Sequence, residues 1–485
     1  MKVKQRFTCQ TCRERKLGCD GKSPECSQCM FSGRRCDGYS TEWTFIHDTR
    51  SKPRKRGKEG KRPRMSQDNG HEIKSLPCPT EVVMRSDDFV TLIVRSYMPE
   101  SELEYISDSS DTSRSRICGS WVETLPELLQ ETSNCSVLYP AANALAMAIG
   151  SPSSQTTGSV ACTQTYSTAI QALQKGFLAP DSLCPAQLMA SVMCLGLVEV
   201  MFPDSSLGLA AHFNGIEQLF QANGPEKYSS GVLHKLFVGF RPLLILQALQ
   251  TRRSTFLAGE SWITTPFATF SPSPMQSLLN KGLTLTTGLQ EIDILLASNS
   301  HTTLEAAPLV SSLLDMRSSL EKWESSFRNT YDGAPYWPIP SFEDGKSSQH
   351  AKTHLWFPNI THANVYTHLW AFHIICLSEL EKVIYHFPSL ILEHTNLWDK
   401  VVALRAGIEM VSLAEQICSS MDYLLQDEMG LFGPGSTFLP LLMAYRAFKK
   451  GEDTQCQNII WIQKIVDRLV AKGLRSAPAV IYQIR

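Results

Sequence analysis

From about Asp88 onward the chain repeats apolar residues at steps of three and four, the spacing that lines one face of an α-helix. Strict alternation of apolar and polar positions, the mark of a half-buried strand, is scarce. The pattern predicts helices over residues 159–178, 185–202, 207–222, 231–257, 307–331, 361–386, 399–426, 437–450 and 453–472. In one of them Leu309, Leu313, Met316, Leu320, Trp323 and Phe327 fall on a single face, with Pro308 in the first turn, where a missing N–H is tolerated. This face suits one helix of a larger core better than a dimerising coiled coil, which needs at least about 3 heptads with charged flanks. SPSS from Ser151, FSPSP from Phe270 and FGPGS from Phe432 read as loops between helices, and residues 101–116, rich in serine and acid, are expected to loop out. No internal repeat of solenoid period is present in this part.

The first 87 residues follow no such pattern, and charge separates them from the rest. Residues 1–64 hold 18 basic and 7 acidic side chains, net +11, which leaves 28 and 40, net −12, to the other 421 of the 485. Residues 1–40 are too poor in apolar side chains to fold by burial, whereas the acidic part is long enough for a sizeable core at 43% hydrophobic content overall. Residues 41–87 read as a basic disordered linker, because RSKPRKRGKEGKRPR at 50–64 sets like charges beside Pro53, Gly57, Gly60 and Pro63. The N-terminus shows no apolar stretch of a secretory signal and no window reaches about 18 consecutive apolar residues, so the expectation is a soluble intracellular chain without a membrane partner.

That compartment decides how the cysteines are read, since regular cysteine patterns in a reducing environment bind metal or do redox chemistry more often than they form disulfides. Six of the 15 cysteines lie between residues 9 and 36: Cys9, Cys12, Cys19, Cys26, Cys29 and Cys36. They spell CxxC, six residues, C, and after six more residues the same unit again. Each unit offers two thiols across a turn, the bite a tetrahedral ion takes with Zn–S near about 2.3 Å, and returns a third after a short helix. Two tetrahedral ions need eight bonds from six thiolates, so two sulfurs are shared, and the internal pseudo-twofold favours Cys9 and Cys26 as the bridging pair. All-thiolate tetrahedral sites select Zn²⁺, and a closed shell makes the two Zn²⁺ structural rather than catalytic. The other nine cysteines (Cys78, Cys118, Cys135, Cys162, Cys184, Cys194, Cys376, Cys418 and Cys456) are expected as small apolar core residues.

The segment CQTCRERKLGCDGKSPECSQCMFSGRRC resembles the fungal binuclear zinc cluster (Zn2Cys6) family of DNA-binding domains in all six ligands, the basic run between Cys12 and Cys19, Asp20 and Pro24. The resemblance implies that the helix after Cys12 enters the major groove of double-stranded DNA. It makes Lys16 the base-reading residue, donating to guanine O6 and N7 of a CGG-type triplet for about 1–3 kcal/mol of discrimination. Arg13 and Arg15 would then clamp phosphates, with Arg34 and Arg35 as further contacts from the second half. Cations are needed there because two Zn²⁺ and six thiolates carry a formal charge of about −2. The family often has a basic residue before the third cysteine, where this chain has Gly18, which removes one phosphate contact and suits a left-handed helix end.

The clusters KPRKR and KRPR (Lys52, Arg54, Lys55, Arg56, Lys61, Arg62 and Arg64) read as a nuclear localisation signal for the import machinery. Residues 37–87 contain no apolar heptads of the kind that pair many relatives, so any homodimer is expected to form through the helical domain. Residues 88–485 resemble, in WVETLPEL (121–128), AHFNGIEQLFQANGPEKY (211–228) and TRRSTFLAGESWITTPF (251–267), the all-helical fungal-specific transcription factor regulatory domain. Such domains are thought to control an activator and sometimes to receive a ligand; Arg252, Arg253 and Trp262 are pocket candidates that capping and core packing explain equally well. His362, Asn364 and His368 form a possible ligand face, though satisfied histidines are the commoner outcome. No GxSxG, HExxH, GxxxxGK[ST] or strand-following GxGxxG motif proposes an enzyme.

The expected architecture is therefore a small binuclear zinc cluster module of two short helices (1–40), a basic disordered linker (41–87) and a large all-α regulatory domain (88–485). The expected role is sequence-specific regulation of RNA polymerase II transcription in a nucleus, with the transcription machinery as partner and a metabolic or secondary-metabolite gene cluster as target. The competing role is a zinc-module adaptor that binds protein or RNA without reading DNA sequence.

Overall fold

A computed structural model of the chain describes residues 11, 29–30, 35–36, 86–103, 120–130, 137–151, 156–177, 184–203, 208–298, 303–340, 353–390, 406–450 and 456–483. The chain divides into two units, Met1–Thr80 and Glu81–Arg485. The second unit contains α1 (Ser86–Tyr97), α2 (Leu138–Gly150), α3 (Thr156–Phe177), α4 (Pro185–Met201), α5 (Gly208–Asn223), α6 (Gly231–Thr251), α7 (Pro274–Ala297) and α8 (Thr303–Arg328). A two-stranded antiparallel hairpin, β1 (Trp337–Pro340) and β2 (Thr353–Trp356), follows, with Trp337 opposite Trp356. It is followed by α9 (Ile360–His386), α10 (Ala406–Ser419), α11 (Phe438–Lys450) and α12 (Cys456–Ala471).

The helices pack as two adjoining groups. In the first, α2 packs on α1, α3 and α4, and α5 packs on α4. In the second, α9 runs through the middle, packed by α7, α8, α10 and α11. The composition of α9 accounts for its place: from Ile360 to Leu377 every residue except Thr361 is buried, and a helix apolar around its whole circumference is stable only when surrounded. Its start is set by Asn359, whose side-chain oxygen accepts from the His362 N–H at 3.1 Å.

By length and composition α6 is apolar enough to cross a membrane, yet here it is a core helix, mostly buried. It carries the fully buried Arg241, whose guanidinium donates to the Gln276 side-chain oxygen at 2.9 Å and to Asn280 Oδ1. Pro242 inside α6 has no N–H to offer the carbonyl of Val238 one turn back, and the Gln276 amide supplies the donor instead at 3.0 Å. A proline defect in one helix is thus repaired by its neighbour α7. The approach of α7 to α9 is close because Gly282 faces Phe372; a Cβ there would lie 2.6 Å from the ring.

Several expectations are corrected. The helix predicted over 231–257 stops at Thr251, because Arg252 adopts the left-handed conformation (φ 56°) that ends it, and a separate 3₁₀ turn occupies Phe256–Ala258. α8 begins at Thr303, so Pro308 lies inside the helix rather than in its first turn; the carbonyl it strands belongs to Leu304, which is 82% exposed and open to solvent. The stretch expected as one helix to 426 breaks after Ser419 and resumes as a turn over Met421–Leu424, and residues 399–405 lie outside the described part. FGPGS is a helical turn, Phe432–Gly435, rather than a loop. FSPSP is both loop and signal: Ser273 caps α7 by accepting from the Gln276 N–H, and Pro274 is its first residue. α7 itself was not among the predicted helices, and neither were α1 and α2. Within the expected 101–116 loop, the described residues belong to a turn of helix, Glu100–Leu103.

Candidate metal centre and DNA-reading segment

The first unit is described at five positions: Thr11, Cys29, Met30, Arg35 and Cys36. Their placement follows the internal repeat. Thr11, next to Cys12, is helical, and so are Cys29 and Met30 at the second CxxC. The Thr11 hydroxyl donates to the carbonyl of Arg35 at 3.4 Å, which ties the start of one repeat to the end of the other across 24 residues.

Cys29 is 2% exposed and Cys36 half-buried, while Met30, one of the few apolar side chains of this segment, points outward. Of the neighbours Cys29 and Met30, the sulfur is inside and the hydrocarbon outside. This is the arrangement that suits thiols gathered around metal. Arg35 is exposed beside Cys36. Cys9, Cys12, Cys19, Cys26, Lys16, Arg13, Arg15, Arg34 and the basic residues 52–64 lie outside the described residues.

The pocket candidates of the helical domain separate. Arg252 donates to Glu379 through both terminal nitrogens at 2.7 and 2.8 Å and to Asp293 through Nε at 2.7 Å. Burial would lower its affinity for a proton, but the two carboxylates outweigh that and raise it. At Asp293, desolvation pushes the carboxyl up, and the hydrogen bond and charge of Arg252 overcome it, so the net shift is downward. Arg252 therefore clamps α6 to α7 and α9. Arg253 is exposed, and Trp262 is buried in an aromatic cluster, edge-on to Phe256 at 4.8 Å between ring centroids and stacked on Phe237.

Three histidines of α9, His362, His368 and His373, are buried. His362 contacts its own cap, Nδ1 to Asn359 Oδ1 at 2.9 Å, and desolvation lowers its pKa. His368 and His373 are pushed down to about 4, His368 by burial against the opposing effect of the Asn364 carbonyl, His373 by burial and then by the charge of Arg317. Among the described residues no three His, Cys, Asp or Glu side chains converge as metal ligands. Of the other cysteines, Cys162, Cys194, Cys376 and Cys418 are buried and Cys184 is half-buried; burial pushes the Cys376 thiol up to about 12. Cys78, Cys118 and Cys135 lie outside the described residues, as does the side chain of Cys456.

Sequence reasoning missed a polar group between α3, α4 and α5. The Tyr166 hydroxyl donates to Glu199 at 2.6 Å and lies 2.9 Å from His212 Nε2. Tyr166, Glu199 and His212 belong to three different helices, and no local spacing announces them.

Residues 7–43 match the fungal Zn(2)-Cys(6) binuclear cluster domain, a domain that binds two zinc ions and DNA and serves in transcription regulation. No curated protein and no solved structure matches the chain.

Proposed function

We propose that this protein is a nuclear, sequence-specific regulator of RNA polymerase II transcription that reads CGG-type half-sites through residues 1–40. The observation that carries it is the six-cysteine segment within residues 7–43, together with the buried sulfur and outward arginine seen at its described end. Cys9, Cys12, Cys19, Cys26, Cys29 and Cys36 would hold the two Zn²⁺, with Cys9 and Cys26 bridging. The metal supplies folding free energy and a rigid frame, since the segment has little hydrocarbon to bury. Lys16 reads guanine, while Arg13, Arg15, Arg34 and Arg35 bind phosphate and fix register. The basic clusters at 52–56 and 61–64 engage the import machinery. Residues 88–485 act as a regulatory domain that couples DNA occupancy to the transcription machinery and supply any dimer contact, and the regulated genes are those of a metabolic or secondary-metabolite gene cluster.

Selection of bound sequences from random DNA by the full-length zinc-loaded protein tests this. The expected outcome is enrichment of CGG, with affinity that falls steeply as salt rises. Lys16→Ala is expected to erase the triplet preference, whereas Arg15→Ala weakens all sequences alike. Equal affinity for scrambled duplexes would overturn the proposal in favour of the adaptor role.

A further inference from the structure

Helices α4, α6, α7 and α9, the turn Phe432–Gly435 and the C-terminal residues Leu474 and Val480 enclose a cavity of about 140 Å³. That is the scale of a cavity that admits a benzene-sized guest. Most of its wall is hydrocarbon, including Leu197, Phe213, Leu243, Leu246, Leu279 and Leu439, and among the described residues no Asp, Glu, Lys or Arg lines it.

Polar groups interrupt this wall without being satisfied by it. Asn364 is 2% exposed, and among the described residues neither its Oδ1 nor the buried Nε2 of Gln250 has a hydrogen-bond partner. His368 has Nδ1 engaged by the Asn364 carbonyl at 2.8 Å, which makes Nδ1 the protonated nitrogen and leaves Nε2 as an acceptor on a neutral ring. Buried donors and acceptors left without partners are costly, and a guest that supplies them recovers that cost. A charged guest would lose its hydration with no counter-charge in the wall to replace it.

We propose that this cavity is a binding site for a small uncharged molecule, the size of one aromatic ring, that carries an amide or hydroxyl group to pair with Asn364 or Gln250. Asn364 sits near the start of α9 and Gln250 in the last turn of α6, so the site selects polarity at defined points of an otherwise apolar volume. Because the wall draws on segments from Tyr97 to Val480, occupancy ties together parts of the domain far apart in the chain. The site stands independently of the DNA-binding role.

The test uses the full-length zinc-loaded protein with benzamide, benzyl alcohol, toluene and sodium benzoate at millimolar concentration, where molecules of this size bind. Thermal unfolding and ligand-observed NMR are expected to show saturable binding of benzamide and benzyl alcohol and none of benzoate. Leu246→Trp, which fills the volume, is expected to abolish benzamide binding in protein whose circular dichroism is unchanged. Asn364→Leu is expected to weaken benzamide relative to toluene by about tenfold, the loss of one good hydrogen bond. Absence of binding by every neutral probe, binding of benzoate as tight as benzamide, or full benzamide binding by folded Leu246→Trp would each overturn the proposal. Should Leu246→Trp fail to fold, Asn364→Leu and Gln250→Leu decide: an unchanged benzamide-to-toluene ratio in both overturns it.

Discussion

Residues 1–40 and the helical domain meet the entropy cost of folding by opposite means. The first segment holds Leu17, Met30 and Phe31 as its only large apolar side chains between Cys9 and Cys36, and at its described end the sulfur of Cys29 is inside while Met30 is outside. In the second, a continuous core runs from Phe89 to Ile481, and Cys162, Cys194, Cys376 and Cys418 are packed within it as small hydrocarbons. One region concentrates its stability in a few metal bonds, and the other spreads it over many contacts of about 1–3 kcal/mol each. A perturbation that destroys one should hardly be felt by the other.

Metal removal is the largest such perturbation. Chelation, or Cys29→Ser, is expected to abolish specific DNA binding, because structural zinc contributes about 10–16 kcal/mol in comparable small modules. The thermal transition of the helical domain should stay where it was, as read by circular dichroism in the same sample. A common transition lost in both would break the contrast.

Next comes the Arg252 clamp. Arg252→Ala leaves the buried carboxylate of Glu379 without its bidentate partner and is expected to destabilise the helical domain by about 3–5 kcal/mol in urea titration. Zinc content and DNA affinity should not change.

Acid should act on the helical domain through α9. His368 and His373 have folded pKa values of about 4, below the ordinary 6.5, so between those limits the unfolded chain binds more protons than the folded one. Their contribution is complete above pH 6.5 and is lost as pH falls toward 4, by up to about 3 kcal/mol for each. Asp293 adds nothing in that window, since its lowered pKa places its loss at more acid pH. His373→Leu is expected to flatten the pH dependence of the urea midpoint between 7 and 4.5; an unchanged slope would show that His373 is not the group responsible.

The smallest effects come from two glycines of α7. Gly282→Ala forces a Cβ to within 2.6 Å of Phe372 and is expected to cost about 1–3 kcal/mol. Gly288, with nothing within 4 Å of its would-be Cβ, should gain about 0.5–1 kcal/mol on replacement by alanine. Equal responses would mean that helix propensity, not the α7–α9 approach, governs this surface.

Legibility in the sequence divides along the same line. The six-cysteine register is readable because all its ligands fall within 28 residues and their spacing is the chemistry. Most long amphipathic helices are readable from periodicity, as with Leu313, Met316, Leu320 and Phe327, which are all buried on one face of α8. α7 escaped because its start, Ser273-Pro274, sits in a run that looks like a loop and its body is interrupted by Gly282, Gly288 and four threonine or serine positions. The end of α6 was misplaced because the apolar pattern continues through Phe256 and Leu257, while the left-handed turn at Arg252 is held by carboxylates on other helices.

The amino-acid order alone therefore determined a two-part protein: a metal-dependent basic head whose ligands are neighbours in the chain, and a helical body whose apolar stripes must find one another. Only the tertiary structure decided what those stripes enclose. Arg252 meets Glu379 across 127 positions, Gln276 repairs the carbonyl stranded by Pro242, and Gln250 and Asn364 line one apolar cavity. Each of these depends on which helices become neighbours, and periodicity says that a face will be buried without saying against what.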